Sequence, residues 1–235
     1  MDTANSSRAA QGPVRAVIFD LDGVLVDSEP NYLESEQRLL ADYGIRFTAQ
    51  MKRQYIGMGT REMLDDVASR FGIPERVDVL VARKNAYYLE IAARSTKTYP
   101  QTRRLLMLLH EHGYPLAVAS GSSADVIEAV LSAASLSGYF DALLSAESVA
   151  RGKPAPDLFL AAARRLDIEP EGCLVIEDSS YGVQAAIAAD MRCIAVPYVL
   201  DAPLDDQFSA ADLLVSTGMT GLRPDEAFAW IRSLT

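Results

Sequence analysis

Short, unbroken apolar runs recur along the chain at 14–19, 116–120, 142–145, 173–177, 193–197 and 213–216, and most are followed by a helical pattern. Continuous apolarity, rather than alternation, is the mark of strands buried on both faces. The pattern therefore predicts α/β architecture: a Rossmann-like parallel sheet with right-handed crossovers and helices on both faces. Between Asp27 and Arg94 the alternation stops, and only helical periodicity remains. Three helices are predicted there, over about 30–43, 60–71 and 75–93, with Gly44 stopping the first and Thr60 capping the second. The third carries Val77, Val81, Tyr88 and Ile91 at helical spacing, with Lys84 filling the vacant place in the stripe. Taken alone, such a lysine is expected to snorkel to water. The organisation expected is a discontinuous α/β core, 14–28 and 95–235, interrupted by an all-helical insert at 29–94. Residues 1–13 read as a tail.

A chain of 235 residues can bury roughly 70–75% of its unfolded surface and needs no covalent staple. Its net charge of −10 argues against nucleic acid or an anionic membrane surface as a partner. No apolar run approaches the roughly 18–20 residues of a membrane span. Cys173 and Cys193 both fall in apolar runs and read as small buried hydrophobes, in keeping with a reducing cytoplasm.

In an open parallel sheet, reactive groups gather beyond the carboxyl ends of the strands, and those ends are where this sequence turns polar. The first run ends in Asp20-Leu-Asp22-Gly23. Side chains two apart on an extended chain point the same way, so Asp20 and Asp22 can share one ligand. Two adjacent acids repel unless a cation lies between them, and a hard, oxygen-liganded ion such as Mg²⁺ suits that place. The next run ends in Ser120-Gly121-Ser122 before a predicted helix, an anion site made of free N–H groups and hydroxyls. After the third, Lys153 stands on a loop stiffened by Pro154 and Pro156, just before a helix predicted over 157–166. The fourth ends in Glu177-Asp178, a second acid pair able to complete an oxygen shell. Each motif alone could be a turn or a helix cap. Four in succession describe a site for a metal, an anion and a nucleophile.

With these residues, the chain resembles the haloacid dehalogenase superfamily, in the branch with a helical cap between its first two motifs. Within that branch it is similar to beta-phosphoglucomutase and its sugar-phosphatase relatives, through Phe19 to Val24, Gly152 to Phe159 and Glu177 to Ser179. The resemblance implies that Asp20 is the nucleophile of an aspartyl-phosphate and Asp22 its general acid/base. Ser120, Gly121, Ser122 and Lys153 would bind the phosphoryl group. Mg²⁺ would be held by Asp20, the Asp22 backbone carbonyl and Asp178, with Glu177 direct or through water. Gly57, Thr60, Arg61 and Lys84 would read the substrate from the cap, with Lys84 now turned inward and Arg61 a partner for a second anionic group. At the place of a histidine that assists the mutases stands Tyr32, so water is the expected acceptor. The implied activity is hydrolysis of a small phosphorylated metabolite by a cytoplasmic monomer or weak homodimer. A sugar-phosphate mutase and a non-catalytic phosphosugar-binding protein are the alternatives.

Overall fold

A computed structural model describes residues 2–3, 12–55, 58–200 and 203–234. Its strands are β1 (Asp2–Thr3), β2 (Ala16–Phe19), β3 (Leu116–Ser120), β4 (Ala142–Ser145), β5 (Cys173–Glu177), β6 (Arg192–Ala195) and β7 (Leu213–Leu214). They form one sheet in the order β1-β7-β6-β5-β2-β3-β4. From β2 to β7 every pairing is parallel.

The unbroken apolar runs have the predicted cause. Val17 and Phe19 of β2, with Val118 and Ile176 beside them, face one buried layer that includes Leu105 and Ile127. Ala16 and Ile18 face the other, with Ala119, Val175, Leu158 and Phe159. The first layer is supplied by α5 (Pro100–Glu111), α6 (Ala124–Ala133) and α9 (Pro224–Ser233), the second by α7 (Asp157–Leu166) and α8 (Ser180–Ala188). Each fully buried Leu, Ile or Phe contributes on the order of 1.5–3 kcal/mol by leaving water. Cys173 and Cys193 are both buried and free, as read from the sequence.

The 29–94 segment holds α1 (Glu29–Ala41), α2 (Ala49–Lys52), α3 (Thr60–Phe71) and α4 (Val77–Ser95). These helices share a separate apolar cluster that includes Leu39, Leu40, Phe47, Leu64, Val67 and Leu80. α2 was not expected, because four residues are too few to display a period. It is started by Thr48, whose side chain accepts from the Met51 N–H at 3.2 Å. Thr60 does not cap α3: Gly59 holds that place and Thr60 is the first helical residue. The helical segment meets the sheet layers through Tyr32 and Tyr88, stacked with centroids 4.4 Å apart and packed into the same cluster as Val24 and Val126.

The tail reading needs one correction. Asp2 and Thr3 pair antiparallel with Leu214 and Leu213, because an edge strand offers unpaired backbone groups that a short segment can satisfy. The rest of 1–11 lies outside the described residues. Among the described residues no helix is long and apolar enough to cross a membrane.

Candidate active site

β2 lies between β3 and β5, with Phe19 registered against Val118 and Ile176, so Asp20 emerges beside the ends of both neighbours. Lys153 arrives from the loop after β4. Its Nζ donates to Asp20 Oδ1 and to Glu177 Oε1, each at 2.5 Å, and to the Ala119 carbonyl at 3.2 Å. The ammonium thus ties three neighbouring strands together. Burial alone would lower its pKa, but the charges of Asp20 and Glu177 outweigh that and raise it. Asp20 shifts upward too: burial raises it, and Lys153 only partly offsets the burial and the nearby Glu177 and Asp22.

Asp22 is held differently. Its Oδ2 accepts from Ser122 Oγ at 2.9 Å, Tyr32 OH at 3.3 Å and Ser120 Oγ at 3.4 Å. Its Oδ1 is buried and accepts nothing. One carboxylate oxygen is therefore fixed by three hydroxyls, and the other accepts no hydrogen bond. Ser120 is fully buried, and its Oγ also accepts from the Ser122 N–H at 3.0 Å. The predicted anion site thus divides: Gly121 and Ser122 face the cavity, while Ser120 braces the turn and Asp22. Tyr32 was noted only as a poor replacement for histidine. Its hydroxyl lies 2.6 Å from Ser122 Oγ, and its pKa is raised well above the usual value, by burial first and by Asp22 next. It serves as a standing hydrogen-bond donor and holds its own proton.

Asp178 sits against Gly23. A Cβ at Gly23 would fall 1.9 Å from Asp178 Oδ2, and the glycine has φ +75°, which other residues rarely adopt. Glu177 is nested in the same way, since a Cβ at Gly182 would meet its carboxyl group at 1.8 Å. Both Glu177 oxygens are engaged, one by Lys153 and the other by the Ser179 N–H at 2.8 Å and Oγ at 3.0 Å. Asp178 is pushed well up, by burial and then by Glu177 and Asp20.

Two buried carboxyl groups, Asp20 and Glu177, share one ammonium, and the half-buried Asp178 stands beside them without a cation of its own at hydrogen-bond distance. This shortage of positive charge, with the glycine cradle beneath Asp178, suits a hard cation. Among the described residues no three acidic, histidine or cysteine side chains form a metal cage on their own. The Asp22 carboxylate is turned to hydroxyls and Glu177 is fully used. The donor set that remains is Asp20, Asp178, the Asp22 carbonyl and water, which fits the habit of Mg²⁺ of keeping several waters.

A cavity of about 300 Å³ lies over these groups and is lined on its other side by Glu29, Glu36, Lys52, Tyr55, Thr60 and Met63 from the helical segment. Of the substrate-reading residues expected there, Thr60 lines it. Arg61 does not: it pairs with Asp78 at 2.6 Å and is 61% exposed, because the start of α4 offers it an acid on the outside. Gly57 lies outside the described residues. Lys84 is 1% exposed, so the snorkelling expectation fails. Its Nζ lies 4.0 Å from the Tyr32 ring centroid and 3.3 Å from Thr60 Oγ1. It is directed toward the site but covered by aromatic rings. Sequence reading missed Lys52 and Glu36, which look like ordinary helix-surface charges until the fold buries them.

Burial lowers the Lys84 pKa from 10.5 to about 7. Between those values the unfolded chain carries a proton that the folded chain lacks, so stability rises with pH across that window. Lys84→Met, close in volume, is expected to raise the melting temperature most at pH 7 and below, with the gain shrinking toward pH 10. Thermal melts across that range test this; a gain independent of pH would contradict it.

A family model described as haloacid dehalogenase-like hydrolase matches residues 14–190. The chain is 32% identical over 181 residues to the fructose-1-phosphate phosphatase YqaB of Escherichia coli, covering 77% of this chain and 95% of that one. It is 38% identical over 194 residues to the chloroplastic protein SUPPRESSOR OF QUENCHING 1 of Arabidopsis thaliana, covering 80% of this chain but only 18% of that much longer one. Among solved structures it is similar to beta-phosphoglucomutase of Clostridium difficile, with a TM-score of 0.77 and 25% identity, over 94% of this chain and 96% of that one.

Proposed function

The chain belongs to the haloacid dehalogenase-like hydrolases, and from that premise we propose that it is a Mg²⁺-dependent phosphatase acting on a small sugar phosphate through an aspartyl-phosphate at Asp20. The observation that carries this reading is the Lys153 ammonium bridging Asp20 and Glu177 at 2.5 Å on the cavity floor. An ammonium there restrains the nucleophile and offers positive charge to a transferring phosphoryl group, whose catalysis is mostly positioning and charge stabilisation.

In this mechanism an Asp20 oxygen attacks phosphorus, forming the acyl phosphate as the ester P–O bond breaks. The leaving oxygen takes a proton from Asp22. The Gly121 N–H and the Ser122 side chain, in the turn that leads into α6, together with Lys153, would hold the phosphoryl oxygens. Asp22 then takes a proton from water, which attacks phosphorus and releases phosphate and free Asp20. Mg²⁺, held by Asp20, Asp178 and the Asp22 carbonyl, would supply positive charge against the same oxygens. Residues 29–94 would act as a cap that excludes bulk water and reads the leaving portion. Tyr32 stands where a mutase would need a proton-transferring histidine. Because it keeps its proton, transfer to a second sugar hydroxyl lacks that assistance.

A panel of phosphorylated metabolites, scored for phosphate release, tests the reading. Phosphate is expected from sugar monophosphates with Mg²⁺ and not with a chelator. Conversion of glucose 1-phosphate to glucose 6-phosphate faster than hydrolysis would contradict it. Gly23→Ala is expected to displace Asp178 and raise the Mg²⁺ concentration for half-maximal activity by roughly 10–100-fold, the usual effect of disturbing a ligand's support. An unchanged Mg²⁺ titration would separate Asp178 from the metal.

A further inference from the structure

One wall of the cavity has no part in the mechanism. There Lys52 of α2 donates to Glu36 Oε1 at 2.7 Å and stands 3.7 Å from Glu29 Oε2. Glu36 is 1% exposed, yet its Oε2 accepts no hydrogen bond, and the enclosed Oε2 of the half-buried Glu29 accepts none either, having only the Lys52 charge at 3.7 Å. All three residues line the cavity. Buried polar atoms are nearly always satisfied, so each orphan calls for a partner. A carboxylate oxygen only accepts, so the partner must donate.

The charge balance points the same way. Glu62 joins Glu29 and Glu36 on the cap side of the cavity, where Lys52 is the only cation among the described lining residues. Burial raises the pKa of both Glu29 and Glu36 despite the pull of Lys52. Lys84 is near, but its ammonium lies over the Tyr32 and Tyr88 rings. Arg61, the one residue expected to meet a second anion, is turned away to Asp78.

Resting on the phosphatase reading, we propose that Glu36 and Glu29, held by Lys52, form a hydroxyl-reading subsite. The substrate is a phosphate monoester whose leaving portion is uncharged and hydroxyl-rich, with hydroxyls that donate to the two carboxylate oxygens left without a hydrogen bond. Esters bearing a second anionic group meet like charge and are rejected. Esters without hydroxyls leave the acceptors bare and forgo that binding.

The test compares kcat/KM of the full-length enzyme with Mg²⁺ on hexitol 6-phosphate, fructose 1,6-bisphosphate, 2-phosphoglycolate and p-nitrophenyl phosphate. Hexitol 6-phosphate is expected to exceed the bisphosphate and phosphoglycolate by at least about tenfold, the scale on which unpaired buried groups discriminate. In Glu36→Gln the ratio of hexitol 6-phosphate to p-nitrophenyl phosphate is expected to fall by about tenfold or more, chiefly through KM. Equal or better turnover of the bisphosphate or phosphoglycolate by the parent enzyme would overturn the subsite without any variant. A loss of the same proportion on hexitol 6-phosphate and p-nitrophenyl phosphate in Glu36→Gln would overturn it too, by showing a structural role alone. No phosphate from any ester, p-nitrophenyl phosphate included, would instead overturn the phosphatase reading on which the subsite rests.

Discussion

Asp20→Asn is expected to fold as the parent does and to release phosphate slower by a factor on the order of 10⁴–10⁶, as when a covalent nucleophile is removed. The amide keeps the shape of the side chain but cannot form the acyl phosphate. What remains, Lys153 and the turn at Gly121 and Ser122, can still bind an anion, so KM should change far less than kcat. The substitution should also stabilise the metal-free protein. Burial raises the Asp20 pKa from 3.8 to about 7, so the charged carboxylate opposes folding above that window. The amide removes this penalty, and the gain in melting temperature should be full at neutral pH and fade as pH falls toward 4. Turnover within tenfold of the parent would remove Asp20 from the reaction.

Lys153→Met is expected to lower kcat by on the order of 10²–10³-fold, the scale for losing one preorganised charge at a transferring group. It should also destabilise the fold. Lys153 is 12% exposed in its side chain and bridges Asp20 and Glu177, which are 7% and 1% exposed. Removing the cation leaves two buried acids facing each other, a loss of about 3–5 kcal/mol for a broken buried pair. The deficit should narrow at low pH, where the acids take up protons. Denaturant titrations at two pH values, beside phosphate release, measure both effects. Normal stability with lost activity would mean that Lys153 serves the substrate alone.

The sheet was legible because its strands are buried on both faces. β3, β4, β5 and α7 begin and end where the apolar runs and the Ser, Lys and acid punctuation place them. The same punctuation exposed the site: Asp20, Ser120, Lys153 and Glu177 are local features of strand ends, and the parallel register brings them together. Other features depend on distant parts of the chain. α2 is too short to show a period, and β1 exists only because β7 presents an open edge. Arg61 had an inviting place in the cap segment, but which acid a surface arginine meets is set by packing. Lys84, Glu36 and Lys52 share one difficulty: polarity is written in the sequence, and burial is not. A lysine in an apolar stripe at least gives a hint. A Glu on α1 and a Lys on α2 that pair inside a cavity give none.

Trapping the intermediate tests the central claim most directly. Borohydride reduces an acyl phosphate to an alcohol, so quenching the enzyme with it during turnover of a sugar phosphate should convert Asp20 to homoserine. Peptide mass spectrometry should find homoserine at position 20 only when substrate and Mg²⁺ are both present. Steady phosphate release with an unmodified Asp20, or with the reduced residue at another position, would contradict the account.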